Sequence, residues 1–164
     1  MPKLIIIRGN SGSGKTTLAK NLQHKFGRNT MVISQDVVRR EMLYVQDKPA
    51  NKAIDLMIDL LNYGSKHCEI VILEGILYLD IYKPLFEAAV DIFKGDIYAY
   101  YYDIPFEETL VRHATKSNSS SFGTEDMRRW WREKDYIGFI KENRITSDCS
   151  LTEAVDKIYI DVKK

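Results

Sequence analysis

The chain has few cysteines, no long apolar run and almost no net charge, and each absence excludes a class of protein. Its two cysteines, Cys68 and Cys149, have neither the number nor the spacing of a disulfide framework or a metal site, so we expect a reducing, cytoplasmic compartment. No stretch approaches the roughly twenty apolar residues that a membrane-spanning helix needs. The apolar run near the N-terminus is short, and it predicts no signal peptide.

The net charge and the length of the chain limit its possible binding partners and its number of domains. A net charge of +1 predicts no large electrostatic surface for long nucleic acid, although the end of a short strand stays open. The three histidines, His24, His67 and His113, form no metal-binding pattern, and we assign them no chemistry. With 164 residues and 45% apolar content, we expect one domain over residues 1–164 with a sizeable core. The sequence predicts nothing about oligomeric state.

Helix and strand signals alternate along the chain, which predicts an α/β fold with a parallel sheet. Short apolar or aromatic runs indicate four strands, at residues 4–7, 30–33, 70–73 and 97–102. A weaker signal leaves a short fifth strand open at residues 143–146. Helical spacing and capping signals indicate helices after the first strand, over about 36–44, 50–67, 84–93 and 105–113, from a cap at Thr124, and after a capping box at Ser150–Glu153.

The most informative motif lies directly after the first strand. It reads Gly9-Asn10-Ser11-Gly12-Ser13-Gly14-Lys15-Thr16 and matches the phosphate-loop pattern G-x-x-x-x-G-K-[ST] at every fixed position. Glycines let backbone N–H groups converge on phosphate oxygens at a helix N-terminus. We therefore predict nucleotide binding over residues 9–17, with Lys15 at the β- and γ-phosphates and Mg²⁺ on the Thr16 hydroxyl. A glycine-rich turn that matches by chance is the alternative, and the strand–loop–helix context argues against it.

Two side chains after the second strand are candidates for chemistry, because open parallel sheets bind ligands at the carboxyl ends of their strands. Asp36 could accept the proton of an attacking hydroxyl. Arg39 could hold an anionic substrate group or the γ-phosphate. Equally, Asp36 could only cap the helix that follows, and Arg39 could be solvated. The sequence pattern alone does not separate these interpretations.

Glu74 occupies the corresponding position after the third strand. In phosphate-loop proteins an acid here orients the Mg²⁺ shell, in part through water, or the substrate. The alternative is a buried acid that caps the next turn. The neighbouring Gly75 permits a close approach of the backbone, which favours the functional interpretation.

Basic residues flank a stretch of small polar residues at 115–123, which we predict to be mobile and to belong to a lid over about 112–132. Arg112 and Lys116 are four residues apart, so a continuing helix would place them on one face. Such residues could neutralise the charge that develops on a transferred phosphoryl group. A solvated basic face paired with nearby acids is the alternative.

The second half of this region carries two adjacent tryptophans. Trp130 and Trp131 could stack on a base, but a stripe shared with Met127 favours helix packing. For Arg128 and Arg132, a role in catalysis and a solvated face remain equally open.

These motifs resemble those of small P-loop kinases of the nucleoside-monophosphate-kinase-like superfamily. The nearest resemblance is to the subgroup of polynucleotide 5′-hydroxyl kinases, chloramphenicol phosphotransferase and zeta toxins, because Asp36 and Arg39 follow the second strand three residues apart. In that subgroup the aspartate is the general base toward the accepting hydroxyl, and the arginine lies near the acceptor. Arg112 and Lys116 resemble its lid, and residues 71–76 resemble the third strand of uridine kinases.

The resemblance implies a three-layer fold with a five-stranded parallel sheet of order 2-3-1-4-5, helices on both faces and a short mobile lid. It implies an ATP- and Mg²⁺-dependent kinase that transfers the γ-phosphate to a hydroxyl of a small molecule, such as a nucleoside, a sugar or an antibiotic. In that reaction Arg39 and Arg40 would position the acceptor, Glu74 would support the metal or the acceptor, and Arg112 and Lys116 would close over the phosphates.

Two other functions remain as alternatives. A 5′-hydroxyl kinase of nucleic-acid ends is one, although Gln35 stands where polynucleotide kinases carry a further arginine, and Lys116 replaces a lid arginine. A nucleotide-dependent switch or NTPase is the other. Its guanine-reading pattern, Asn/Thr-Lys-x-Asp, has only the incomplete match Thr115-Lys116-Ser117-Asn118.

Overall fold

A five-stranded parallel sheet forms the centre of the molecule. The computed structural model describes residues 1–115 and 122–164. The strands are β1 (Lys3–Gly9), β2 (Thr30–Ser34), β3 (Ile70–Gly75), β4 (Ile97–Tyr102) and β5 (Glu142–Ile145). They lie in the order β2-β3-β1-β4-β5, and every neighbouring pair is parallel. This confirms the predicted topology, including the fifth strand.

Helices cover both faces of this sheet. Within the described residues they are α1 (Lys15–Phe26), α2 (Lys52–His67), α3 (Leu79–Phe93), α4 (Phe106–Ala114), α5 (Thr124–Trp130) and α6 (Leu151–Lys163). None of these helices is long and apolar enough to cross a membrane. The architecture is therefore the predicted α/β fold with three layers.

The alternation of side chains along β1 explains the two halves of the core. Leu4 and Ile6 pack in one apolar cluster with residues of α2 and α3, whereas Ile5 and Ile7 pack in a second cluster with residues of α1 and α6. All four side chains are completely buried. A strand covered on both faces needs a continuous apolar run, and this is why residues 4–7 were recognisable as a strand.

Two helix starts differ from the sequence prediction. Helix α3 begins at Leu79 and contains Pro84, whereas the sequence predicted a start at that proline. Pro84 removes one backbone hydrogen bond, but the buried Ile81 and Tyr82 precede it, so packing outweighs the preference of proline for a first turn. Helix α5 is capped by Gly123 rather than Thr124, and the Asp126 carboxylate accepts a hydrogen bond from the Gly123 N–H at 3.2 Å.

The short helix predicted after β2 is a π-helical segment over Val37–Met42. Its wide turns appear in the Leu43 N–H, which donates to the Val38 carbonyl, and in the Val45 N–H, which donates to the Arg39 carbonyl. The chain then runs irregularly to α2, with positive φ angles at Tyr44 (54°) and Ala50 (61°). Wide turns of this kind often mark functional sites, and this segment begins at the carboxyl end of β2.

Candidate active site

The phosphate loop joins β1 to α1 and depends on three glycines. Gly9, Gly12 and Gly14 have φ angles of 147°, 81° and 104°, which side chains rarely adopt. A Cβ atom on Gly12 would lie 2.6 Å from the carbonyl oxygen of Thr109 in α4, and one on Gly9 would lie 2.8 Å from Cβ of Tyr102. The loop thus packs against β4 and α4 too closely for any side chain at these two positions.

Lys15 lies beneath the loop and is buried. Its ammonium group donates to the carbonyl oxygen of Asn10 at 2.8 Å and lies 3.3 Å from the Ser13 hydroxyl. These contacts hold the positive charge beside the backbone N–H groups of the loop. A buried ammonium group in this place attracts phosphate oxygens more strongly than an exposed one would.

Thr16 and Glu74 meet at the head of the sheet. The Thr16 hydroxyl donates to Oε1 of the buried Glu74 at 3.1 Å, because β1 and β3 are neighbours with Ile7 opposite Glu74. The sequence left a capping role for Glu74 open, and the structure gives its carboxylate a different partner. Mg²⁺ is usually held by one or two such oxygen ligands together with phosphate oxygens. The two side chains fit that ion, and within residues 1–115 and 122–164 no group of three His, Cys, Asp or Glu residues could hold a metal by itself.

Asp36 and Arg39 extend from the start of the π-helical segment. Asp36 makes no capping hydrogen bond, its side chain is 63% exposed, and its Oδ1 lies 3.7 Å from Nη2 of Arg39. Arg39 is mostly buried and donates from Nη1 to the Val45 carbonyl at 3.1 Å. Its Nε is buried without a hydrogen-bond partner among the described residues. Asp36 is therefore an accessible carboxylate that does not cap the helix, beside an arginine that is held by the protein and is largely shielded from solvent.

Three adjoining cavities share Asp36. The largest, of about 960 Å³, is lined by Thr16, Asp36, Arg39 and Arg40 and by the chain that follows the π-helical segment. The loop cavity, of about 510 Å³, is lined by phosphate-loop residues together with Asp36, Arg40 and Glu74. The aromatic cavity, of about 380 Å³, is lined by Asp36, Arg39 and Arg40 on one side and by three aromatic residues, Tyr78, Phe122 and Trp130. Because Asp36, Arg40, Ser11 and Phe122 line both the loop cavity and the aromatic cavity, a group in one could reach a group in the other at Asp36.

A further cavity lies on the other side of the phosphate loop. This Cys149 cavity, of about 560 Å³, is lined by Gly14, Thr17, Tyr102 and Arg112, and by residues 147–151 before and at the start of α6. Arg112 donates from Nη1 to the Ser13 carbonyl at 2.7 Å and from Nε to Glu108 at 3.2 Å. Arg112 thus contacts the phosphate loop directly. Lys116, its predicted companion, lies outside the described residues, as does most of the stretch at 115–123.

Contacts between residues far apart in the sequence join the phosphate loop to the end of the predicted lid. The Asn10 side chain accepts a hydrogen bond from the Arg132 N–H at 2.8 Å and donates to the Arg132 carbonyl at 2.7 Å. The Arg132 guanidinium lies 3.9 Å from the centre of the Tyr78 ring and pairs with Asp80 at 2.6 Å. Sequence spacing could not reveal these contacts, since more than fifty residues separate the partners.

Arg8, at the end of β1, is a second such residue. It is completely buried, pairs with Asp135 at 3.0 Å and Glu142 at 2.9 Å, and donates to the Leu77 carbonyl at 2.8 Å. The only sequence signal for this role was a charged residue directly after the apolar run of residues 4–7. Its hydrogen bonds fix the chain after β3 beside the phosphate loop.

The tryptophans do not form the single stripe that the sequence predicted. Helix α5 ends at Trp130, and Trp131 follows with an extended backbone and packs edge-on against Phe106 at 5.4 Å. Trp130 instead lines the aromatic cavity beside Phe122, with ring centres 5.1 Å apart. Its carbonyl accepts a 2.6 Å hydrogen bond from the Tyr78 hydroxyl, and burial raises the pKa of Tyr78 to about 12, so this group stays a donor at neutral pH.

Comparison with known proteins places the fold. A family model described as an AAA domain matches residues 4–77, which include the phosphate loop, Asp36 and Glu74. No curated protein matches the chain in sequence. In structure the chain is similar to a gluconokinase from Sinorhizobium meliloti 1021, with a TM-score of 0.67 and 13% identity over 99% of this chain and 92% of that one.

Two further structures are similar over nearly their whole length. One is a tunicamycin resistance protein of Deinococcus radiodurans, with a TM-score of 0.64 and 17% identity over 98% of this chain and 96% of that one. The other is the APS kinase CysC of Mycobacterium tuberculosis in complex with AMPPNP and APS, with a TM-score of 0.60 and 20% identity over 99% of this chain and 97% of that one. At these identities the likeness shows a shared fold.

Proposed function

We propose that the chain is an ATP- and Mg²⁺-dependent kinase that transfers the γ-phosphate to a hydroxyl group of a small molecule. One observation carries this proposal: Asp36 lies where the loop cavity, lined by Lys15 and Thr16, meets the aromatic cavity. A donor phosphate and an acceptor hydroxyl could thus approach each other beside an accessible carboxylate. The similar structures that are named as kinases support the same reaction class.

The residues on the donor side would bind the nucleotide. Lys15 and the backbone N–H groups of the loop would hold the β- and γ-phosphates. The Cys149 cavity adjoins the loop at Gly14 and Thr17 and has the size of a ligand pocket, so we assign it to the base and ribose. Arg112, which already contacts the Ser13 carbonyl, would add positive charge beside the phosphates.

Asp36 would act as the general base. As the acceptor oxygen forms its bond to the γ-phosphorus, the bond from that phosphorus to the β,γ-bridging oxygen breaks and ADP leaves. The proton of the acceptor hydroxyl passes to the Asp36 carboxylate. Arg39 holds Asp36 from one side at 3.7 Å, and Arg40, which lines both cavities, would neutralise charge on the transferred group.

The Thr16 hydroxyl and the Glu74 carboxylate would hold Mg²⁺, Glu74 in part through water. When bound, that ion neutralises charge on the phosphate oxygens. The hydrogen bond of 3.1 Å between the two side chains shows that their oxygen atoms already lie on one side of the loop cavity.

Within this class, the residue before Asp36 favours a small acceptor over the end of a nucleic acid. Gln35, at the position where polynucleotide kinases carry an arginine, is buried and donates to the Tyr82 hydroxyl at 2.8 Å, so it supplies no charge for a substrate phosphate. The resemblance to the polynucleotide-kinase, chloramphenicol-phosphotransferase and zeta-toxin subgroup therefore extends to Asp36 and Arg39 but not to this position.

The test measures ADP release with a panel of nucleosides, sugars, hydroxylated antibiotics and 5′-hydroxyl oligonucleotides. We expect at least one small acceptor to raise turnover well above hydrolysis by water. We expect Asp36→Asn to lower that turnover by about 100- to 10,000-fold while ATP still binds, because it removes only the general base. Lys15→Ala should impair transfer to every acceptor.

Asp59→Asn is the matched control, since Asp59 is an exposed carboxylate on α2 away from the cavities. Transfer that Asp36→Asn leaves unchanged would overturn the assignment of the base. Basal hydrolysis that no acceptor stimulates and that is indifferent to Asp36 would favour an NTPase or switch. Oligonucleotide phosphorylation that weakens steeply with salt would favour the nucleic-acid alternative.

A further inference from the structure

The aromatic cavity contains a second carboxylate that the sequence did not single out. Asp47 lies in the irregular chain between the π-helical segment and α2 and lines this cavity together with Asp36. The Tyr82 hydroxyl donates to its Oδ1 at 2.5 Å, and its Oδ2 accepts no hydrogen bond from the described residues. One oxygen of Asp47 is thus fixed by the protein, and the other is available to a ligand.

A chain of buried hydrogen bonds holds Asp47 in this place. Gln35, directly after β2, donates a hydrogen bond to the Tyr82 hydroxyl, which in turn donates one to the Asp47 carboxylate. Burial, and then the hydrogen bond to Asp47, raise the pKa of Tyr82, so it remains a donor at neutral pH. Gln35 is in turn held by the close approach of Gly75, where a Cβ atom would lie 2.7 Å from Cβ of Gln35.

The opposite wall of the cavity is aromatic. Phe122 and Trp130 pack edge to face with centres 5.1 Å apart, and Tyr78 is fixed by its hydrogen bond to the Trp130 carbonyl. Aromatic faces accommodate the flat apolar face of a ring, whereas a carboxylate accepts hydrogen bonds from hydroxyl groups. The combination fits a ring that carries hydroxyl groups along its edge.

We propose that the acceptor is a hydroxylated ring, a sugar or the ribose of a nucleoside, and that Asp47 accepts hydrogen bonds from its ring hydroxyls while Tyr82 and Gln35 position Asp47. This rests on the proposed kinase function and specifies its substrate class. Asp36 takes the proton of the hydroxyl that is phosphorylated, and Asp47 determines which rings bind. A site that hydrogen-bonds a hydroxyl rejects analogues that lack it, because its own polar group is then left unpaired.

Two pairs of acceptors test this proposal. Uridine and 2′,3′-dideoxyuridine share a base and a 5′-hydroxyl, and D-glucose and cyclohexylmethanol share a six-membered ring with a primary hydroxyl. We expect the wild type to prefer the hydroxylated member of one pair by about 100-fold or more in kcat/KM. The pair that shows the preference identifies the source of the ring.

Two substitutions then test which residues cause this preference for a hydroxylated ring. Asp47→Asn should reduce it by about 10- to 100-fold, because a charged hydrogen-bond acceptor is lost, with a larger rise in the KM for the acceptor than for ATP. Tyr82→Phe keeps the ring but frees Asp47, and should reduce the preference less. Asp59→Asn and Tyr63→Phe, both at exposed positions of α2, are the matched controls and should leave the preference unchanged.

The outcomes separate this proposal from the proposed function. Phosphorylation of an open-chain acceptor such as 1,3-propanediol, with no preference in either pair, would contradict the proposal that the acceptor is a hydroxylated ring. It would leave the proposed kinase function standing. A preference that survives Asp47→Asn would overturn the role of Asp47. If no acceptor raises ADP release, the kinase itself is wrong, and binding of uridine or D-glucose that Asp47→Asn weakens would still support the site.

Discussion

The two sides of the candidate active site are built differently. On the donor side, the phosphate loop is a regular turn between β1 and α1, and close packing against Thr109 and Tyr102 fixes its shape. On the acceptor side, Asp36, Arg39 and Asp47 lie on a π-helical segment and the irregular chain after it. Side-chain hydrogen bonds, such as that from Tyr82 to Asp47, hold these residues in place.

This difference follows from what each side has to recognise. Phosphate groups are alike in all nucleotides, so backbone N–H groups at a helix N-terminus are sufficient to bind them. An acceptor has an individual shape, which only side chains can match. We therefore expect substitutions on the donor side to act through backbone conformation, and those on the acceptor side to act through substrate preference.

The largest effect should follow from Gly12→Ala on the donor side. The new Cβ atom would lie 2.6 Å from the Thr109 carbonyl at a φ angle of 81°, so both strain and overlap oppose it. We expect a loss of about 2–5 kcal/mol in the free energy of unfolding, measured by denaturant titration, together with loss of ATP binding.

Gly95→Ala is the matched control. Gly95 has a similar φ angle of 87°, and a Cβ atom there would meet nothing within 4 Å. Only the strain remains, so the loss should be about 1–2 kcal/mol, without a change in ATP binding. Equal losses at the two glycines would show that packing of the loop against α4 contributes nothing.

A smaller effect should distinguish two helix caps of similar strength. Asn51 caps α2 beside the acceptor side and also donates to the Lys48 carbonyl, whereas Ser150 caps α6 beside the Cys149 cavity. Substitution of either by alanine should cost about 1 kcal/mol in the free energy of unfolding. Asn51→Ala should raise the KM for the acceptor by about fivefold, with less effect on the KM for ATP. Ser150→Ala should raise the KM for ATP by a similar factor, with less effect on the KM for the acceptor. Equal changes in both KM values would contradict the division into two sides.

The smallest effect concerns the Cys149 thiol. Burial, followed by the nearby Glu153 and Asp148, raises its pKa, so the thiolate fraction at neutral pH is small. Alkylation by iodoacetamide should therefore be slow and should continue to accelerate as the pH rises above the usual range of a thiol. ATP at ten times its Kd should slow the reaction about tenfold, if the base occupies this cavity.

Peptide mass spectrometry can follow both cysteines in the same sample. Cys68 directly follows α2, outside the Cys149 cavity, and serves as the internal control. Protection of Cys149 alone supports the assignment of the base. Equal protection of Cys68, or none at Cys149, would place the base elsewhere.

The donor side was largely predictable from sequence because its signals are local. Residues 9–16 contain the whole phosphate loop, and the apolar runs of β1 and β3 identify buried parallel strands. The position of Glu74 at the carboxyl end of β3 follows from the same pattern. The structure places its carboxylate beside Thr16 because β1 and β3 are neighbours in the sheet, an order that the family resemblance supplied.

On the acceptor side, the sequence predicted only those residues whose role depends on their own position in the chain and not on a distant partner. Asp36 and Arg39 were candidates from their place after β2, but Asp47 was not, because its role depends on Tyr82, which lies 35 residues further along the chain. The start of α3 was missed for a related reason. Burial of Ile81 and Tyr82 outweighs the local preference of Pro84, and local preferences do not report burial.

The phosphate loop is joined to both ends of the segment from Arg112 to Arg132. At one end Arg112 donates to the Ser13 carbonyl, and at the other the Asn10 amide holds the Arg132 backbone with two hydrogen bonds. The described residues on both sides of 116–121 thus contact the same eight-residue turn. A change in the shape of this turn would therefore alter its contacts with Arg112 and with Arg132 at the same time.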